Sequence, residues 1–213
     1  RSDAAELHYG PLHRIISTLG SSLNLDDVLR NVVLIANEAA GALHCFIYLW
    51  DESQGRLVLR ATMPAFQHLV GSITLRPGEG VTGWAFSNKQ TIVLNARAFA
   101  DPRFRYFAEL AEEHFQSIIA APIVSKQGRG IGVISVRAQA QDAFRERAVT
   151  TLSDVAYLVA GAIENAQLYE SMQRKLSVLT TLFEFSQAIS ARMGVDEMLR
   201  ATANTTARVT CSD

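Results

Sequence analysis

Hydrophobic residues recur every three or four positions near the start of the chain, which is the spacing of one helix face. Residues 7–19 show this pattern, and residues 25–41 show it more strongly. Asn24 can cap the second segment, and two aspartates follow it near the positive end of the helix dipole. Gly41 can adopt the left-handed conformation that ends many helices. The pattern predicts two helices, the second of which begins after Asn24 and ends at Gly41.

The pattern then changes to short apolar stretches that are rich in β-branched and aromatic residues, which is typical of strands. A five-residue turn at 51–55 separates the first two stretches and predicts a hairpin. A brief helix is predicted over residues 81–87. The predicted strands are residues 44–50, 57–59, 73–75, 91–94, 117–124 and 131–136.

Residues 144–192 contain no proline and a single glycine, Gly161, and this stretch is far longer than an ordinary globular helix. Its apolar residues keep a 3-4 spacing to Tyr169, change phase near Met172, and then resume through Phe183. A heptad seam with one stutter describes this pattern and predicts helices paired in a homodimer over residues 154–190. Packing on the chain's own sheet is the alternative, and we expect it for the first half.

A short sequence repeats within the chain. Residues 25–30, LDDVLR, are matched 170 positions later by VDEMLR at residues 195–200, and the flanking apolar positions agree in phase. The repeat predicts two tandem copies of one domain, the second truncated. The expected boundaries are a first domain with its flanking helices at 1–170, a linker helix at 171–192 and the truncated start of a second copy at 193–213.

Composition narrows the class of protein. The 213 residues include 20 Lys+Arg and 21 Asp+Glu, and such a balance argues against direct contact with nucleic acid. Cys45 and Cys211 cannot make a disulfide framework and suit the reducing cytoplasm. The apolar runs are too short to span a bilayer. The chain begins at Arg1 without a signal-peptide pattern, so we expect it to be part of a longer cytoplasmic protein.

The order of several segments resembles the GAF domain family, a group of small-molecule sensor modules. These segments are the helix and strand at 25–50, LRPGEGVTGW at 75–84, the stretch from Asn95 through DPRF at 101–104, the strands at 117–124 and 130–136, and AIENAQLY at 162–169. The resemblance covers about residues 23–169. It implies an α+β fold with a central antiparallel sheet of five or six strands. The N- and C-terminal helices would cover one face, pocket-forming loops the other, and a long C-terminal helix would follow.

The resemblance also implies a function. A non-catalytic regulatory sensor, of the kind found in two-component signalling or transcription regulation, would bind an unidentified small molecule in the pocket. It would transmit the bound state through a dimeric helix to a downstream output domain. The alternative is a ligand-free module for dimerisation and signal relay, whose pocket is filled by its own side chains. No cofactor can be named from the sequence.

The expected pocket contacts come from the first strand, the irregular segment 96–115 and the central strand. We expect one residue of each strand pair to face the pocket, and alanine at Arg103 to abolish a ligand response without unfolding the chain. The candidate ligand-binding residues are Phe46 or Tyr48, Arg103, Phe104, Phe107, Phe115, and Ile119 or Ala121.

Other motifs have simpler explanations. Gly78-x-Gly80-x-x-Gly83 matches the dinucleotide fingerprint, but the short helix that follows cannot make the crossover that this fingerprint requires. We expect these glycines to permit a tight turn and close packing. The GAF-like methionine sulfoxide reductases use several cysteines, whereas this domain has only Cys45, so we predict no enzyme activity.

Two ligand classes of the family remain as alternatives. His114 lies in the segment over the expected pocket and is the candidate for a haem ligand, while no metal site is predicted from histidine and cysteine spacing. Cyclic-nucleotide-binding members carry an Asn-Lys pair after the last strand and then a Phe. Of these only Phe144 is retained here, since Arg137 and Ala138 stand at the pair.

Overall fold

The strands of the described chain form one sheet of six strands in the order β3-β2-β1-β6-β5-β4, in which every neighbouring pair is antiparallel. The computed structural model describes residues 24–110, 114–192 and 200. For residues 188–192 it describes the backbone alone. The strands are β1 (His44–Asp51), β2 (Arg56–Thr62), β3 (Thr74–Leu75), β4 (Ile92–Leu94), β5 (Ser117–Val124) and β6 (Gly130–Ala138). The α-helices are α1 (Leu25–Ala40), α2 (Gly80–Asn88) and α3 (Glu146–Arg192), with short 3-10 helices at Pro64–Leu69, Ala98–Ala100 and Ala108–Leu110.

Helix α1 has the two ends that the sequence predicts. The Asn24 Oδ1 atom accepts a hydrogen bond of 3.1 Å from the backbone N–H of Asp27, which satisfies one free donor of the first turn. At the other end Gly41 has φ 61°. The Gly41 N–H donates to the Glu38 carbonyl, and the Ala42 N–H donates to the Asn37 carbonyl. The apolar face between these caps is buried on the sheet.

The sheet has a core on each face. One core lies between the sheet and the helices α1 and α3. On the sheet side it includes Cys45, Ile47, Leu49, Ala61, Ile119, Ala121, Ile123, Ile134 and Val136. The other core lies under α2 and the connecting loops. It includes Phe46, Tyr48, Leu57, Leu59, Leu75, Val81, Ile118, Ala120 and Val133. The predicted fold class is therefore confirmed, with helices on one face and loops on the other.

Polar contacts fasten the start of α3 to the edge of the sheet. The Asn95 amide donates to the Phe144 carbonyl at 2.6 Å and accepts from the Phe144 N–H at 3.1 Å. The Ser117 hydroxyl oxygen lies 2.9 Å from the Asn95 carbonyl oxygen and 2.8 Å from that of Ala140, and its single proton is shared between them. These bonds satisfy partly buried backbone groups of a connection that has no ladder of its own.

Helix α3 changes character along its length, and the chain divides into two units after Leu168. Within the first unit, its inward positions are buried against α1 and the sheet. They are Leu152, Val155, Ala156, Val159, Ala160, Ile163 and Ala166. Within the second unit, all the side chains described from 171 to 187 are exposed. The change of phase near Met172 thus separates a face buried in the domain from a different, exposed face of the helix. Pairing with a second copy stays a prediction.

Two expectations fall on residues outside those described. They are the helix at 7–19 and the second copy that the repeat at 195–200 suggested. The domain boundaries at 170 and 192 stay predictions.

The glycine motif serves packing, as expected. Helix α2 has nine residues, and a β-carbon placed on Gly83 would lie 2.5 Å from the Arg76 carbonyl oxygen and 3.2 Å from the Gly78 nitrogen. The backbone of the turn therefore touches the backbone of the helix. The strands on both sides of α2 belong to an antiparallel sheet, which lacks the parallel crossover of a dinucleotide site.

We predict that Gly83→Ala destabilises the domain by about 2 kcal/mol, because the added methyl group must push backbone atoms apart. Gly161→Ala is the matched control, since a β-carbon there meets open space on helix α3. That change is expected to raise the free energy of unfolding by up to about 1 kcal/mol. Urea denaturation of both variants measures this, and equal effects would contradict the packing role of Gly83.

Candidate functional site

A cavity lies between helix α2, the segment that follows the 3-10 helix Ala98–Ala100, and the loop-covered face of the sheet. Its enclosed volume is about 20 Å³, and part of it opens to solvent. Ligand pockets usually measure about 300–1,000 Å³, so a ligand larger than a water molecule would have to displace the segment that covers the cavity. Its walls are apolar with a few polar groups. The lining residues are Leu75, Gly80, Val81, Thr82, Phe104, Arg105, Phe107, Ile118 and Arg137.

Arg137 is the charged residue that strand β6 brings to the cavity. Only 5% of its surface is exposed. Its guanidinium carbon lies 4.6 Å from the ring centre of Phe46 and 5.8 Å from that of Phe115. Aromatic faces attract a desolvated cation, so the two rings hold the guanidinium against the sheet.

His44 packs on the same aromatic group. Its ring centre lies 5.0 Å from that of Phe66 and 5.3 Å from that of Phe115, both edge-on. The pKa of His44 is lowered from its ordinary value of 6.5, first by burial and then by the positive charge of Arg137. The neutral imidazole is therefore the form that this environment favours.

The first turn of α2 forms one wall of the cavity. Gly80, Val81 and Thr82 line it, and the N–H groups at the start of a helix lack partners within the helix. Thr82 is buried, and its hydroxyl adds a short polar group to this wall.

Arg105 lies at the open side of the cavity and is held by Glu79. Their charged atoms are 2.8 Å apart, and the other carboxylate oxygen of Glu79 accepts a hydrogen bond from the Arg76 N–H. Arg105 also lies over the ring of Phe107, at 5.6 Å. This ion pair joins the segment that covers the cavity to the start of α2.

Two of the predicted contacts line the cavity, namely Phe104 and Phe107. Phe46, Tyr48 and Phe115 are buried on the same face of the sheet but are not lining residues. Phe46 and Tyr48 share this face because residues two positions apart in a strand point the same way, so the expectation that only one of them would do so was wrong.

Arg103 does not reach the cavity. Its guanidinium pairs with the Asp101 carboxylate at 2.7 Å and lies 5.3 Å from the ring centre of Trp84. The hydrogen bond from Arg103 holds the pKa of Asp101 below its usual range. Alanine at Arg103 would remove a contact that shapes the covering segment, which differs from the ligand contact expected from the sequence.

Ile119 and Ala121 face the helix layer, which corrects their place among the expected pocket contacts. Their neighbours Ile118 and Ala120 face the loop-covered side instead. Successive residues of a strand point to opposite faces of the sheet, and β5 is apolar on both faces. The hydrophobic pattern therefore could not predict which of the two sets faces the cavity.

The sequence reasoning also missed Arg137, Arg105 and Thr82. Arg137 had a visible signal, since it is the one charged residue in the otherwise apolar stretch GIGVISVRA at 130–138. A charge in a strand that is buried on both faces needs a partner or a function.

His114 is exposed and is not a lining residue of the cavity. Among the described residues, no three His, Cys, Asp or Glu side chains gather in a way that could hold a metal ion. The position of His114 gives no support to the haem alternative.

Cys45 lies in the core on the helix side of the sheet and is fully buried. Burial raises the pKa of its thiol well above the ordinary value. It is a small core residue, as predicted, and the sheet separates it from the cavity.

These features define an α+β module whose antiparallel sheet is covered by helices on one face and encloses a cavity on the other. A family model described as the GAF domain matches residues 22–164. The chain therefore belongs to the GAF domain family, as the resemblance of its motifs indicated.

The similar full-length proteins are regulators and sensors. The Nif-specific regulatory protein of Klebsiella pneumoniae is 32% identical over 156 residues, which are 71% of this chain and 29% of that protein. The methyl sulfide methyltransferase-associated sensor of Methanosarcina acetivorans is 25% identical over 86% of this chain and 19% of its own length. The chain thus spans less than a third of these relatives.

Solved structures share the fold. The GAF domain of a phosphoenolpyruvate-protein phosphotransferase from Coxiella burnetii has a TM-score of 0.70 and 26% identity, covering 77% of this chain and 96% of that one. A free methionine-R-sulfoxide reductase from Neisseria meningitidis has a TM-score of 0.64 and 24% identity, over 79% and 95%. The second likeness is one of fold alone. Over the described residues, we find no helix with the length and apolar character that crossing a bilayer requires.

The lowered pKa of His44 predicts a pH-dependent stability. The unfolded chain binds the proton more readily, so this residue's contribution to the free energy of unfolding is full above pH 6.5 and falls as the pH drops below that value. Urea denaturation at about pH 8 and about pH 5 should show a smaller loss on acidification for His44→Gln than for the wild type. Equal losses in the two proteins would contradict the assigned environment of His44.

Proposed function

We propose that this GAF domain is a non-catalytic regulatory sensor that binds a small molecule in the cavity and passes its occupancy to helix α3 and a downstream output domain. The observation that carries this proposal is the cavity itself. It combines apolar walls with a few convergent polar groups, as small-molecule sites do. The regulatory and sensor relatives support the same function.

The non-catalytic part of the proposal is supported by the placement of Cys45. Some proteins of this fold are methionine sulfoxide reductases. A catalytic thiol must reach its substrate and ionise, whereas Cys45 is buried behind the sheet with a raised pKa.

The segment that follows α2 contacts α3 and provides a route for coupling. Helix α2 ends at Asn88, and three residues later the Thr91 hydroxyl shares a hydrogen bond of 2.9 Å with the Ser153 hydroxyl of α3. A shift of α2 on ligand binding would therefore change a partly buried contact of the long helix.

A second contact runs through the β5–β6 hairpin. Lys89 caps α2 and donates to the Gly128 carbonyl at 2.6 Å. The next residue, Arg129, lies 3.6 Å from the Glu164 carboxylate of α3. Arg129 is largely exposed, so we assign this ion pair a role in geometry rather than a large energy.

The exposed part of α3 supports dimerisation with a second copy. Tyr169, Met172, Leu176, Leu179 and Phe183 follow alternating steps of three and four, and all are exposed in the single chain. An a/d seam of this kind is buried when two helices pair in a coiled coil.

The ligand-free relay module is the second candidate. The observation that favours it is the small volume of the cavity, which the rings of Phe104 and Phe107 narrow. Both candidates need the helix dimer, and they differ in whether the purified protein holds a small molecule.

Native mass spectrometry of the purified protein separates the two. The sensor function predicts a mass above that of the denatured chain, and predicts that Ile118→Trp, which places an indole in the cavity wall, removes the excess. Circular dichroism and thermal unfolding confirm that the variant is folded. Protein at its bare mass that also binds none of a library of small metabolites would contradict the sensor function and support the relay module.

The helix seam gives a separate prediction. Leu179→Glu should convert a dimer into a monomer, because the carboxylate would be buried at a d position. Val178→Glu is the matched control. Val178 and Leu179 are similarly exposed in the single chain, at 55% and 62%, but Val178 lies off the seam. Light scattering after gel filtration measures both variants. Dissociation by both changes, or by neither, would contradict this seam.

A further inference from the structure

We propose that residues 101–107 form a strap that closes the cavity and opens to admit a ligand, with the ion pair between Glu79 and Arg105 as its latch. This inference rests on the proposed binding function and describes how access to the same site is controlled. The enclosed volume of about 20 Å³ holds little more than one water molecule. A larger ligand therefore requires one wall of the cavity to move.

The wall formed by helix α2 is tightly packed. The backbone of Gly83 meets the preceding turn so closely that a β-carbon there would lie 2.5 Å from the Arg76 carbonyl oxygen. Val81 and Ala85 of the same helix are buried in the core of the loop-covered face. A movement of α2 would have to separate these packed groups, so we expect the strap to move first.

The strap keeps its shape through local contacts. Residues 104–107 belong to no helix or strand. The Asp101 N–H donates to the Ala98 carbonyl, and the Phe104 N–H donates to the Asp101 carbonyl. The Arg103 guanidinium makes two hydrogen bonds with the Asp101 carboxylate. None of these bonds has to break when the strap lifts from the cavity.

Two arginines fasten the strap to helix α2. Arg105 pairs with Glu79 at 2.8 Å, and the guanidinium of Arg103 lies 5.3 Å from the ring centre of Trp84. The side chains of Arg103 and Arg105 are 38% and 55% exposed. Water and salt reach charges that are exposed to this degree and weaken their contacts. The fastening is therefore of the kind that can open and close reversibly.

Gly80 lets the closed strap lie directly on the start of α2. A β-carbon on Gly80 would be 3.0 Å from the β-carbon of Arg105. In this position Phe104 and Phe107 line the cavity. Lifting the strap would expose their rings, which favours the closed form until a ligand supplies new apolar contacts.

Opening of the strap would also release one end of α2. Glu79 precedes this helix and Trp84 lies within it, so both would lose their arginine partners. The other end stays held, because the ring of Phe86 stacks on that of Trp50 at 5.2 Å. The strap thus provides a physical reason for the shift of α2 on which the proposed coupling depends.

Labelling of a thiol placed under the strap measures how often it opens. Ile118 lines the cavity and is 2% exposed, so the thiol of Ile118→Cys can react with iodoacetamide only when the cavity opens. Adding Glu79→Gln removes the charge of the latch and keeps an acceptor for the Arg76 N–H. This reaction should become about 2- to 5-fold faster, the range expected for a partly exposed ion pair. Arg105→Met should have the same effect, and the two latch changes together no more than either alone.

Two controls separate strap opening from a general loosening of the domain. Peptide mass spectrometry reads each thiol separately, and labelling of the native Cys45, which is fully buried on the other side of the sheet, should stay unchanged. Glu52→Gln is the matched control variant, because it breaks an exposed ion pair with Arg129 outside the strap and should leave labelling unchanged.

Salt gives an independent readout of the latch. About 0.5 M sodium chloride should accelerate labelling of Ile118→Cys where Glu79 is present and have no such effect beside Glu79→Gln. Labelling that neither latch variant accelerates, or an equal acceleration at Cys45, would overturn the strap. The experiment needs no ligand, so that result leaves the sensor function to be decided by the mass measurement.

Discussion

Strands β1, β5 and β6 are buried on both faces, and this constraint governs the rest of the domain. A sheet with two apolar faces must be covered twice. Helices α1 and α3 cover one face with a regular layer, since both carry an apolar stripe. The other face is covered by the short helix α2 and irregular segments, which pack less regularly and leave the cavity.

Arg137 is the exception within this apolar arrangement. Every other residue that β6 presents to the loop-covered face is small or apolar, and Arg137 places a charge there beside two aromatic rings. Burial lowers the pKa of His44, and the charge of Arg137 lowers it further. A site that departs from the pattern of its own strand is where function is expected to appear.

Much of the fold could be predicted from local patterns. The ends of α1, the hairpin of β1 and β2, the long helix and the short α2 each follow from capping residues, turn chemistry or periodicity. The register of β5 could not, because Ile118 and Ile119 are equally apolar and only the packed structure decides which faces the cavity.

The site was harder to predict than the fold. Aromatic residues in an irregular segment point to Phe104 and Phe107, which line the cavity, whereas the charge of Arg103 serves its pair with Asp101. Arg137 lies 33 positions from Phe104 in the chain, and only sheet pairing brings its strand to the cavity. The lone charge of its strand marks Arg137 in the sequence, but no local pattern shows which residues it meets in the folded domain.

We propose that occupation of the cavity changes the local stability of helix α3. Hydrogen exchange of the wild type and of Ile118→Trp tests it most directly, since the indole occupies cavity space without any ligand. We predict that protection changes both around the cavity and in peptides from residues 126–130 and 150–168, where Thr91 and Arg129 connect to the helix. A change confined to the cavity walls, with the helix exchanging as in the wild type, would contradict the account.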